Sequence, residues 1–97
     1  MAERRFPMSG DVDLAVVQAL QDELLVLVNT TNDDLVLDCT NLEFIDSAGV
    51  GVLIFTQRLL EVRGRRLRVV NMSDRCRRPF EILGLTDLLE LPAPEPA

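Results

Sequence analysis

Ninety-seven residues make one domain with a modest core, and a chain 47% apolar is expected to pack rather than stay disordered. A net charge of −6 argues against direct binding of nucleic acid, and no apolar run is long enough for membrane insertion. There is no Lys, His, Tyr or Trp. The commonest general base, the commonest metal ligand and any Schiff-base amine are therefore missing, and no cofactor or metal is implied.

Met1-Ala2-Glu3-Arg4-Arg5 lacks the apolar segment of a secretory leader, so a cytoplasmic protein is the expectation. Phe6, Met8 and Val12 read as a short strand, with Gly10-Asp11 as a turn signal. Asp13 can cap a following helix. Val16, Val17, Leu20, Leu24, Leu27 and Val28 then recur at spacings of three and four, which gives an amphipathic helix of about four turns.

Asn29 to Asp34 is a polar loop, and Leu35 to Cys39 reads as a buried strand. A second helix begins near Ser47 or Ala48 and runs to about Val62, with Gly64 ending it. Leu67 to Asn71 is the next strand. A shorter helix follows between Ser73 and Leu83 and closes at Gly84. Pro79 should fall in its first turn, through a late start, or else kink it. Leu88 to Leu91 is a last strand or helical turn, and Pro92 to Ala97 a flexible, Pro-rich tail.

The charge is uneven. Residues 1–57 hold two Arg and ten acidic residues, a balance of −8. Arg58 to Arg78 holds eight Arg against Glu61 and Asp74, a balance of +6. That stretch is read as a solvated face, with an acidic partner or lipid surface as the sharper alternative. Cys39 and Cys76 stand in no metal or redox spacing and are expected to be buried thiols.

The most informative segment is Phe44 to Leu53. Ser47 stands at the start of an apolar helix, where it would make a good N-cap. Gly49 and Gly51 are poor helix residues, each costing about 1 kcal/mol relative to Ala, so something should approach the backbone there. On these residues alone three readings stay open. Ser47 caps the helix and the glycines ease packing; the helix N-terminus binds an anion; or Ser47 is a regulatory phosphoacceptor. A small hydrolase using Asp46 and Ser47 lacks any group to activate the hydroxyl, and Asp38 with Asp46 would be a carboxylate pair without a third catalytic group.

Asp46-Ser47-Ala48-Gly49-Val50-Gly51-Val52-Leu53 resembles the Asp-Ser-(Ser/Thr)-Gly-(Leu/Val)-Gly motif of bacterial anti-sigma factor antagonists, the STAS-domain family. Leu35 to Leu42 resembles the strand before that motif. Gly10-Asp11-Val12-Asp13 is similar to the family's Gly-Glu-Leu-Asp. Gly64 to Val70 and Phe80 to Leu85 resemble the later strand and helix. The likeness runs from about Arg5 to Leu91, the expected folded core of a single domain spanning 1–97.

The resemblance implies an α/β, STAS-like fold, a central mixed sheet of about four strands packed by three to four helices. It implies a non-enzymatic antagonist that binds an anti-sigma factor of the serine kinase type and thereby releases a sigma factor. Ser47 would be phosphorylated by that partner and restored by a PP2C-type phosphatase. Asp46, Ser47, Ala48, Gly49, Val50, Gly51, Asp11 and Asp13 would lie at the partner-binding site. Three departures stand out. Ala48 replaces the motif's second hydroxyl, Pro79 interrupts a helix, and the stretch before Gly10 is too short for the family's full opening hairpin, so the sheet is expected to be one strand short, with an edge open to pairing or homodimerisation. The alternative within the family is a non-switching scaffold, a stressosome subunit or an accessory subunit of a lipid-transport ABC complex.

Overall fold

Strand β1 (Glu3–Val12) puts Met8 and Val12 into the core and leaves Arg5, Pro7, Ser9 and Asp11 exposed. The computed structural model that shows this describes residues 2–86. The order continues with α1 (Val17–Thr30), β2 (Asp34–Ile45), α2 (Ser47–Val62), β3 (Leu67–Val70) and α3 (Asp74–Ile82). The sheet order is β1-β2-β3, and both pairings are parallel. Among the described residues the sheet is thus wholly parallel and three-stranded, not mixed and four-stranded. The strand or helical turn expected at Leu88–Leu91 lies outside them, as does the tail.

Parallel connections turn right-handed, so α1 and α2 cross back over one face of the sheet and pack on each other. Between them lie Met8, Val12, Leu24, Val28, Leu35, Leu37, Ile45, Val50, Leu53 and Leu60. Each fully buried side chain of that size contributes about 1.5–3 kcal/mol of hydrophobic stabilisation.

The other face is polar and tied by charge. Val36 sits in register between Arg5 and Arg68 and is 3% exposed. Arginine stems of this kind cover apolar surface while their heads stay wet. Arg5 Nε donates to Asp38 Oδ2 at 3.0 Å, and Arg68 Nη1 donates to Glu3 Oε2 at 2.8 Å. Asp38 Oδ1 also accepts from Thr40 N–H, Thr40 Oγ1 and Asn71 Nδ2. These bonds hold the Asp38 carboxyl well below the usual carboxylate range, with Thr40 the largest cause.

Several expectations change. Gly10-Asp11 is not a turn: both residues belong to β1, which continues to Val12. Gly10, at φ +67, lies where the β1–β2 register shifts, and a second shift lies between Pro7 and Ser9. At each shift β2 carries one residue more than β1, so β2 is bulged and runs on to Ile45 rather than ending at Cys39. Asp13 Oδ1 accepts from Ala15 N–H at 3.0 Å, but it closes a turn ahead of α1, whose N-cap position is Val16. Val16 is therefore 41% exposed rather than part of the buried stripe.

Helix α3 does not start late. Ser73 caps it through Cys76 N–H, and Pro79 sits within the helix. The helix lies beside the second half of β2. There β3, which pairs only with Leu35 to Asp38, no longer flanks it, and Cys76 Sγ lies 3.7 Å from the Leu42 carbonyl oxygen.

Candidate functional site

In a parallel sheet all strands end on one side, and each following helix begins there. The ends of β1 and β2 are in register, Asp11 with Phe44 and Val12 with Ile45. The Asp46 N–H donates to the Val12 carbonyl at 3.1 Å, which fixes where α2 begins. The fold thereby gathers Asp11, Asp13, Asp46 and Ser47, far apart in sequence, at one end of the molecule.

The N-cap of α2 is Asp46, not Ser47. Asp46 has extended backbone dihedrals, its Oδ1 accepts from Gly49 N–H at 3.0 Å, and its carbonyl accepts from Val50 N–H. Ser47 is the first helical residue and is exposed, and its hydroxyl makes no hydrogen bond to any described residue. The capping role proposed for Ser47 therefore passes to its neighbour. The anion-binding reading weakens as well, because a carboxylate already occupies one of the exposed N–H groups.

The two glycines separate. A Cβ on Gly49 would lie 2.7 Å from Ile45 Cγ1, 2.8 Å from Val12 Cγ1 and 2.9 Å from the Val12 carbonyl oxygen. Gly49 lets α2 close on the sheet, and it is buried with Val50. Gly51 has nothing within 4 Å of a Cβ and is exposed. Of the six motif residues, Asp46, Ser47, Ala48 and Gly51 reach the surface; Gly49 and Val50 act from inside.

Ser47, Gly51, Phe55, Arg58 and Val62 recur at spacings of four, four, three and four, and all are exposed. They form one face of α2, with Phe55 at 40% and Val62 at 88% exposure. The sequence reading did not mark Phe55 or Val62. Their three- and four-residue spacing from Ser47 was the signal available for finding them.

The Arg58–Arg78 stretch is not one surface. Arg65 is buried, donating to the carbonyls of Asp33 and Val28 and to Thr31 Oγ1, where it ties the end of α1 to the start of β2. Arg77 is buried as well, and Arg68 pairs with Glu3. Cys39 and Cys76 are both buried and free, and burial pushes the Cys39 thiol up to about 12, with Cys76 and Asp38 adding to it. Asp38 and Asp46 do not form a pair: Asp38 is held by Arg5, Thr40 and Asn71, while Asp46 bonds to Gly49. Among the described residues no His/Cys/Asp/Glu group could hold a metal ion, and no helix is long and apolar enough to cross a membrane.

A small α/β domain with a capped helix start, a free serine at that start and a mostly uncharged exposed helix face has the features of a protein-binding module. Comparison with known proteins gives the class. The family model described as Mlab, STAS domain matches residues 3–90. The anti-sigma-B factor antagonist of Staphylococcus aureus (strain NCTC 8325 / PS 47) is 30% identical over 84 residues, covering 87% of this chain and 78% of the relative. That of Bacillus subtilis (strain 168) is 29% identical over 86 residues, covering 89% and 78%. The anti-sigma factor antagonist SpoIIAA in its unphosphorylated form superposes with a TM-score of 0.79 at 22% identity, covering 95% of this chain and 81% of SpoIIAA. The phosphorylated form of the Bacillus cell fate determinant SpoIIAA gives 0.70 at 22% identity, covering 94% and 83%. This chain belongs to the STAS-domain family of anti-sigma factor antagonists.

Proposed function

We propose that this domain is a partner-switching antagonist: unphosphorylated, it binds an anti-sigma factor and releases a sigma factor, and phosphorylation of Ser47 ends that binding. The observation that carries this reading is the division of labour at the start of α2. Asp46 caps the helix, so the Ser47 hydroxyl is exposed and has no structural duty. A kinase can modify it without dismantling the fold.

The electrostatics support a switch that acts on the interface. A phosphate adds about −1.5 to −2 charges and three strong acceptors. The helix dipole favours an anion at this position, so the fold tolerates it. A partner fitted against Ser47, Ala48, Gly51 and Phe55 would instead have to accommodate a bulky dianion, next to the charges of Asp46, Asp11 and Asp13. A loss of about 4 kcal/mol would weaken binding roughly a thousandfold. Such a domain is the substrate of a serine kinase rather than an enzyme, and a PP2C-type phosphatase would reset it.

The rival, a non-switching scaffold or transport-complex subunit, drew support from a membrane-facing arginine surface. The burial of Arg65 and Arg77 takes two of the eight arginines out of that surface and Arg68 pairs with Glu3, while Arg58, Arg63, Arg66, Arg75 and Arg78 stay exposed. Incubation with ATP and the serine-kinase anti-sigma factors of the host, followed by mass spectrometry, tests the reading. A single phosphate on Ser47, absent from Ser47→Ala, is expected. Modification elsewhere with Ser47 untouched would overturn it, and stable co-purification with a permease would favour the rival.

A further inference from the structure

Strand β1 is an edge of the sheet: β2 pairs with it on one side, and no described strand flanks it on the other. The carbonyls of Ala2 and Val12 both turn toward β2, so alternation from either end turns the backbone groups of Arg5, Pro7, Ser9 and Asp11 outward. Beside that edge a groove of about 250 Å³ runs between β1 and α1. Its walls are mostly apolar, with Phe6, Met8 and Val12 from the strand and Val16, Ala19 and Leu20 from the helix. Pro7 and Ser9, from the opposite face of β1, line it as well, so it opens along the edge itself. Proteins blunt such edges with charge and proline, and Arg4, Arg5 and Pro7 do so against pairing in general. They leave one particular pairing open.

We propose that β1 pairs antiparallel with β1 of a second copy, about a twofold axis at Met8, and so closes the edge in a homodimer. The strand is complementary to itself about that residue. Arg5 lies three positions before Met8 and Asp11 three after, so each Arg5 faces Asp11 of the other copy on the open face of the sheet. Both have capacity for it. Asp11 has no ion pair or side-chain hydrogen bond with a described residue, and Arg5 spends only Nε on Asp38, leaving its Nη donors. Phe6 lies two positions before Met8 and Gly10 two after. A Cβ on Gly10 would meet nothing within 4 Å, which leaves room there for Phe6 of the second copy. Pro7 then faces Ser9, and each proline removes one donor from the ladder. A parallel, in-register pairing would instead set Arg5 beside Arg5 and Asp11 beside Asp11. Joining two like edges uses up both, so the assembly stops at two.

Sedimentation equilibrium of the full chain over a concentration series should show a weak monomer–dimer equilibrium, as befits a short edge-to-edge contact. Asp11→Arg and Arg5→Asp should each weaken self-association at least about tenfold, because each sets like charges opposite one another twice per dimer. Mixing the two variants in equal amounts should restore the dimer, since both contacts of the mixed pair again join opposite charges. Amide exchange by NMR gives a second reading that needs no variant: the Ser9 and Asp11 N–H groups should gain protection as concentration rises. Ser47→Asp should self-associate like wild type, so failure of the phosphoswitch would leave this result standing. A monomer at every concentration, a dimer indifferent to both charge reversals, or one not regained by mixing two folded variants would overturn the proposal. So would full protection of those amides in the dilute monomer, which would place another segment of the same chain on the edge.

Discussion

The carbonyl oxygen of Val12 would stand 2.9 Å from a Cβ atom placed on Gly49, and the same oxygen accepts the N–H of Asp46. The end of β1 therefore sets both where α2 begins and which residue its first turn must carry. The exposed serine lies between those two contacts, held in place without taking part in either.

Gly49→Ala should cost about 1–3 kcal/mol, because the clash involves backbone as well as the Ile45 and Val12 side chains. Gly51→Ala should do the opposite. It lies in an exposed part of the helix with open space around it, so alanine should stabilise by about 1 kcal/mol. Urea unfolding of the two variants measures both. If Gly51 is retained for close approach by a partner, Gly51→Ala will also bind the anti-sigma factor more weakly while folding better.

Asp46→Ala should lose about 1 kcal/mol through the lost cap, and Asp46→Asn should retain most of it. Ser47→Ala should change stability by less than about 0.5 kcal/mol, since surface substitutions away from such features do little. Thermal unfolding of the three variants checks this ordering. A large loss in Ser47→Ala with none in Asp46→Ala would return the capping role to Ser47.

Much of this was legible in the sequence. The order of elements and the span of α2 followed from apolar spacing and end signals, whereas Pro79 suggested a late start for α3 that the Ser73 cap overrides. β2 was read short because each bulge adds a residue to it and breaks the alternation a strand is recognised by, and β1 because Gly10-Asp11 carries a turn signal inside the strand. The cap was misassigned because Asp46 and Ser47 are both good caps, and only the extended backbone at Asp46 separates them. The arginine run is mostly the solvated face expected of it, but charge in sequence says nothing of burial: Arg65 has carbonyls to bind inside the fold.

Asp38 should make stability pH-dependent. Its carboxyl is depressed in the folded state by hydrogen bonds from Thr40, Asn71 and Arg5. The contribution is thus fully present above the unfolded carboxylate value of about 4 and is lost as pH falls toward the lower folded value. Comparing wild type with Asp38→Asn by urea unfolding from pH 6 down to pH 2 should show a stability gap that narrows below about pH 4. A gap constant across that range would show that the network does not act through the charge of Asp38.

Cys39 and Cys76 should be silent toward thiol reagents in the native state. Both are 1% exposed, and the Cys39 thiol is pushed up to about 12, so little thiolate is present at neutral pH. Ellman's reagent at pH 8 should label neither in buffer and both in denaturant, which a count of released thiolate distinguishes.

The switch itself is tested most directly by calorimetric titration of the cognate anti-sigma factor with unphosphorylated and Ser47-phosphorylated protein, alongside Ser47→Ala and Ser47→Asp. Tight binding by the unphosphorylated protein and by Ser47→Ala, with roughly a thousandfold weaker binding after phosphorylation and a clear loss in Ser47→Asp, is the predicted result. Equal affinity of the phosphorylated and unphosphorylated forms, with intact folding, would contradict it.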